Sequence, residues 1–124
     1  MKIRSTHKNT TQLKNCKFFI LTQVSKALDY LRDSAAEVAK AKAERIYLEE
    51  YRKSLKALIM KDHLDISVSA QEREAYASDE YVKHLRAMQI AIERDEKLRF
   101  MRIAAEAKIN AWQTMSANYR SIKL

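Results

Sequence analysis

The chain has no glycine and no proline in 124 residues, where average usage would supply about 8 or 9 of the first and about 6 of the second. Tight primed hairpin turns, phosphate-cradling loops and dinucleotide fingerprints all depend on glycine, because only a residue without Cβ takes the required backbone angles at no steric cost. A P-loop enzyme, a Rossmann domain and a many-stranded β fold are thereby excluded. Cys16 is the one cysteine, too few for an intrachain disulfide, and it fits a reducing compartment. Long apolar runs are missing too. None exceeds the length of Phe18 to Leu21, far short of the roughly 18 to 20 residues that cross a bilayer or of a signal-peptide core. The expectation is a soluble, cytoplasmic protein with no membrane partner.

Acidic residues are absent from the first 28 positions, where six bases stand: Lys2, Arg4, Lys8, Lys14, Lys17 and Lys26. The remaining 96 residues hold 18 bases against 16 acids, so six of the eight excess positive charges lie in the first quarter of the chain. A block of one sign marks a surface that meets a polyanion, or else a solvated tail that aids solubility.

What fills the chain is helix-forming. Its 17 alanines, with Leu, Glu, Lys, Arg, Gln and Met, are the residues that lose least on entering a helix. The fold class is therefore all-α. Val24, Leu28, Leu31, Ala35, Val38, Ala41, Arg45, Leu48, Tyr51, Leu55 and Leu58 recur at steps of three and four, the spacing of one helical stripe. This predicts a helix over about 11–61, on the order of 75 Å long at 1.5 Å per residue, preceded by a basic flexible tail over residues 1–10. Asp62, His63, Asp65, Ser67 and Ser69 form the only clear break. Ser69 with Glu72 reads as a capping box opening a short helix over about 70–76, and Ser78, followed by Asp79 and Glu80, caps a last helix over about 79–119. Its stripe is Tyr81, Leu85, Met88, Ile92, Asp95, Leu98, Met101, Ala105, Ile109, Trp112 and Met115. The architecture expected is one domain over 11–124, a long antiparallel helical hairpin with a short helical elbow.

Paired from the elbow, the last helix reaches back only to about residue 21 at equal rise per residue. The apolar segment around Leu13, Phe18, Phe19, Leu21 and Val24 is then left without cover, and association into a homo-oligomer would bury it. A bent three-helix monomer, with residues 12–25 folded back, is the alternative.

Enzyme chemistry finds no footing. His7, His63 and His84 are scattered, with no zinc-ligand spacing and no cysteine pair. Asp62, His63 and Asp65 read as a polar turn, since a calcium loop needs its glycine. Neither a catalytic residue nor a metal or cofactor is assigned. Binding chemistry has more to work with. Lys42, Arg45, Arg52 and Lys56 lie near one side of the first helix beside Tyr47, and a single strand needs cations for its phosphates and ring faces for its bases. Against this, Glu44, Glu49 and Glu50 interleave with those bases, and Trp112 falls on the packing stripe. A protein-binding adaptor or inhibitor, whose basic tail complements an acidic surface, is the other reading.

From Tyr47 to Arg120 the segments YLEEYRKSLKALIM, SAQEREAYASDEY and AWQTMSANYR resemble small helical proteins that tailed bacteriophages carry near recombination and replication genes. The Arg73-Glu74-x-x-Ala77 elbow and the Trp112-x-Thr114 to Asn118 ending carry most of the likeness, and Gln113 stands where that family has arginine. More distantly, the plan is similar to the recombination mediator of T-even phages. The resemblance implies an oligomer in the cytoplasm of a bacterial host that binds single-stranded DNA or RNA and assists a recombinase or a single-strand-binding protein.

Overall fold

The structure, a computed structural model, describes residues 6–122. Among them the regular elements are four helices, α1 (Thr6–Asp33), α2 (Ala35–Lys61), α3 (Val68–Ala77) and α4 (Asp79–Ile122), and no strand. Lys2 and Arg4 lie outside the described residues, as does the Lys8 side chain. The chain divides into two compact units: residues 1–35 with 100–124, and residues 36–99.

The helix expected over 11–61 is two helices, beginning at Thr6 and parted at Ser34. No breaker residue causes the interruption. The Ser34 hydroxyl donates to the Tyr30 carbonyl at 2.6 Å, the same oxygen that accepts the Ser34 amide at 2.9 Å. The same i−4 back-bond is made by Thr22 to Phe18 and by Thr114 to Asn110 within unbroken helix, so it accompanies the interruption and does not by itself account for it. The segment expected to be a flexible tail over 1–10 is helical from Thr6 onward.

In the unit spanning 36–99, α2 and the first part of α4 run antiparallel, since Leu48 meets His84 and Arg45 meets Asp95. Their contact stripes differ from the expected ones by a single step at several positions. Buried or half-buried are Val38, Ala41, Arg45, Leu48, Leu55 and Ile59 on α2, and Tyr81, His84, Met88, Ala91, Asp95 and Leu98 on α4. On α4 the steps alternate three and four, as along the seam of a coiled coil, whereas α2 misses a place between Leu48 and Leu55, where Tyr51 and Arg52 are exposed. Leu58 and Leu85, expected on the seam from the spacing of threes and fours, are 53% and 42% exposed, while Ile59 and His84 beside them face inward. In the unit built from the two chain ends, Ala27 and Ser34 likewise replace Leu28 and Ala35 at the contact, and Ala105 is buried while Met101 and Met115 are exposed. At Ala27 and Ser34 the side chain turned inward is small, which lets two backbones approach closely; at Ile59 and His84 it is not. Apolar size alone is a poor guide to which of two adjacent positions turns in.

The nearest thing to a core lies at the elbow, where Ile59, Ala75 and Tyr81 are buried together with Leu55 and Met60 against them. Tyr76 meets Tyr81 edge to face at 5.2 Å. The cap that starts α3 is Ser67, two residues before the expected Ser69: its backbone is extended at φ −62°, ψ 155°, and its oxygen accepts from the Ala70 amide. Ser78 caps both neighbours, donating its hydroxyl to the Ala75 carbonyl at 2.7 Å and accepting the Tyr81 amide at 3.2 Å. A chain without glycine therefore makes its turns with serine.

Ala75 has no exposed surface, so enlarging it must displace Ile59 or Tyr81. Ala75→Leu should cost about 1 to 3 kcal/mol by overpacking, read as a lower urea midpoint, while Ala77→Leu at an exposed site should leave the midpoint within about 0.5 kcal/mol of wild type. Equal midpoints for the two variants would mean that the elbow is not packed as described.

Candidate nucleic-acid interface

The expected binding residues separate into three groups. Arg45 and Lys56 are engaged within the protein. Arg45 Nε stands 2.9 Å from an Asp95 carboxylate oxygen and 4.0 Å from Glu49, and its Nη1 3.7 Å from Glu96; these are ion pairs, since the buried Nε–H makes no hydrogen bond. The Asp95 side chain is only 9% exposed, and a carboxylate that has lost its water depends on a cation beside it. Lys56 donates to Glu72 at 2.8 Å and sits 4.9 Å from the centre of the Tyr76 ring, tying α3 to α2. Both cations were expected to meet phosphate. The acids facing them across the unit, Asp95, Glu96 and Glu72, occupy them instead.

Lys42, Tyr47 and Arg52 form the second group and are exposed on α2. The Tyr47 ring stacks on Tyr51 at 5.8 Å and 13° between planes, and Tyr51 in turn tilts against His84 at 5.6 Å. Glu44 and Glu50 in the same stretch bind Arg94 and Lys53. This face is thus mixed in sign.

Lys14 and Lys17 belong to the third group, on α1. The Lys17 ammonium stands 4.2 Å over the Tyr119 ring, an exposed cation–π contact worth about 0.5 to 1 kcal/mol. That contact extends the pairing of α1 with α4 beyond residue 21, to residue 17, where the expected reach had stopped short. Of the residues expected to join copies, Leu13, Phe18, Phe19 and Leu21 are 52 to 75% exposed, whereas Val24 is 8% exposed and belongs to the contact with α4. Val24 occupies a seam position three residues before Ala27 and is not available to a second copy.

Between α1 and the end of α4 lies a groove of about 530 Å³ lined by Lys17, Ile20, Leu21, Trp112, Tyr119 and Arg120 among others, within the range of about 300 to 1,000 Å³ usual for ligand pockets. Trp112 and Tyr119 are seven residues apart, two turns along one helix face. Arg120 holds its own Ser116 carbonyl at 3.4 Å. None of the described residues that line this groove is acidic. The sequence carries the sign of it: after Glu106 no acid occurs, and Lys108, Arg120 and Lys123 are the charges.

The two acid-poor ends of the chain therefore fall in one unit. Residues 1–35 with 100–124 carry eleven bases and three acids, the whole formal charge of +8, while residues 36–99 carry thirteen of each and are neutral. Among the described residues no helix is long and apolar enough to cross a membrane, and no group of three or more His, Cys, Asp or Glu is placed to hold a metal ion. Comparison with protein-family models, with curated proteins and with solved structures finds no match.

The engagement of Lys56 has a pH signature. Its hydrogen bond to Glu72, and then its contact with Tyr76, push the ammonium up from 10.5 to about 12. A group with a higher pKa folded than unfolded stabilises the fold fully below the unfolded value and loses that contribution as pH rises through the folded one. Wild type should therefore exceed Lys56→Gln in stability by a constant margin from about pH 7 to 9, and the margin should close between pH 10.5 and about 12. Urea titrations of both proteins at matched pH read it, and a margin unchanged at pH 12 would remove Lys56 from the elbow.

Proposed function

We propose that the protein is a non-enzymatic, phage-type accessory protein that binds single-stranded nucleic acid in the bacterial cytoplasm and assists recombination or replication. The observation that carries the reading is the segregation of charge: one unit holds all of the +8 and the other none. A solubilising charge has no reason to collect at one place, whereas a polyanion site requires it. The groove beside it adds what a generic anion site lacks, two aromatic rings among cations, the combination that holds a single strand. In this reading α1 and α2 pair with α4 as one antiparallel hairpin turned at α3, and several copies associate through Leu13, Phe18, Phe19 and Leu21. A recombinase or a single-strand-binding protein is the protein partner.

Affinity for a single-stranded oligonucleotide should fall with salt, because each neutralised phosphate releases about 0.7 counterion. Five or six contacts per protomer give a log–log slope of about −3.5 to −4, and deleting residues 1–10, with Lys2, Arg4 and Lys8, should flatten it by about two units. Arg45→Gln and Lys56→Gln should lower stability and leave the slope unchanged. Absence of binding at low salt would end this reading.

The exposure of Phe18 and Phe19, 75% and 63%, favours a second reading, in which those rings dock a protein partner and the protein acts as an adaptor or inhibitor. Burying each ring gains roughly 1.5 to 3 kcal/mol, so either a second copy or a different chain would be held. Light scattering separates the two. Particles larger than a monomer that shrink in a Phe18→Ser, Phe19→Ser variant, with helicity retained, support self-association. A wild-type monomer at tens of micromolar that recovers a stoichiometric partner supports the adaptor.

A further inference from the structure

We infer that the groove between α1 and the end of α4 is a two-base subsite for a single strand, with one base against Trp112, the next against Tyr119, and flanking phosphates on Lys17 and Arg120. The inference rests on the nucleic-acid reading above and adds where and how the strand is held. Trp112 and Tyr119 lie two turns apart on α4, about 10.5 Å along the axis at 1.5 Å per residue. That is too far to clamp one planar ring between them, so each serves its own base. Leu21 and Ile20 close the side of the groove formed by α1 and supply an apolar wall against which bases exclude water.

The charge of the lining is complementary to a phosphate chain and to little else. Among the described residues Lys17 and Arg120 are its only charged lining, and the lining positions fall within two stretches of sequence, 1–28 and 107–124, that contain no acid. The ammonium of Lys17 already covers one face of Tyr119 at 4.2 Å, which marks the ring as reachable by a cationic or planar ligand. When a base takes that face, the flexible Lys17 side chain swings to the adjoining phosphate and exchanges a cation–π contact for an ion pair. An acidic peptide would pair with Lys17 and Arg120 but has no planar base to lay against Trp112 and Tyr119. The aromatic pair is therefore what selects a nucleic acid over other polyanions.

Trp112 is the only tryptophan, so its fluorescence reports on this groove and nothing else. The full-length protein is titrated with a labelled 15-residue oligothymidylate, following label anisotropy and Trp112 emission together, with an abasic deoxyribose-phosphate chain and poly-glutamate as comparisons. Expected are quenching of Trp112 by oligothymidylate, none by the abasic chain, and weak competition by poly-glutamate. Tyr119→Ala should weaken binding by about 5- to 150-fold, Tyr119→Phe should bind as wild type, and Lys17→Gln and Arg120→Gln should each flatten the salt slope by about 0.7. Oligothymidylate that binds with Trp112 emission unchanged, or that binds no better than the abasic chain, overturns the groove and leaves the broader nucleic-acid reading standing. No anisotropy change at low salt with any strand overturns both. If Tyr119→Ala fails to fold by circular dichroism, quenching of the unaltered protein and the Tyr119→Phe affinity still decide.

Discussion

Close approach of paired helices through small side chains is the constraint on which the rest of this protein depends. Ala27, Ala41, Ala91 and Ala105 are each 7% exposed or less, and Ser34 joins them at the contact. A seam built this way gains little from any single residue, at about 0.8 kcal/mol for each buried methyl or methylene group, and so must run over many turns. It also determines what happens to the large side chains. With Ala27, Ile59, His84 and Ala105 taking inside positions, Leu28, Leu58, Leu85, Phe100 and Ile103 are left outside, all between 42 and 59% exposed. The protein carries an apolar surface because its interior is small. The buried Asp95 beside Arg45, and His84 at 2.7 Å from the Leu48 carbonyl, add polar contacts to that interior that only one register satisfies, which is the best-attested use of polar residues at such positions.

Composition was enough to read the helical class, because the missing glycine and proline remove every competing architecture. The elbow was legible for a similar reason: Ser67, Ser69 and Ser78 are the only residues nearby with hydroxyls to offer a helix start. Finer features were lost where two signals of unequal size compete at adjacent positions. Leu85 is the more hydrophobic neighbour of His84, yet the histidine turns in because a backbone carbonyl awaits its ring nitrogen. The interruption at Ser34 carries no mark in the sequence, since Thr22 and Thr114 make the same back-bond within unbroken helix.

The candidate site shows the same division. The basic run of residues 1–28 stands out because it is unbroken, but counting the rest of the chain as one block concealed a second acid-free run after Glu106. Only pairing α1 with the end of α4 brings the two together and sets Trp112 and Tyr119 beside Lys17. On α2 the error ran the other way. Arg45 and Lys56 look like free cations along a helix face, and their partners Asp95 and Glu72 come from elements 16 to 50 residues later. A charge can be counted from sequence, but whether it is already spoken for depends on the neighbouring helix.

The division into two units also bears on the order in which the molecule assembles. Residues 36–99 are one uninterrupted stretch, and their contacts join residues such as Lys56 with Glu72 and Leu48 with His84, 16 and 36 positions apart. The basic unit must join the two chain ends, with Lys17 and Tyr119 about a hundred residues apart. Closing a longer loop costs about 0.6 kcal/mol for each doubling of its length, and long-range contacts slow folding. Once the neutral unit has formed, Glu37 lies 3.7 Å from Arg94, so the two strands of chain leaving it start out side by side and the large loop is already closed. During synthesis the same connectivity acts as a delay. While residues 100–124 are still in the ribosome tunnel, everything the neutral unit needs is already outside, and α1, with Val24 and Ala27 uncovered, waits for the partner that buries them.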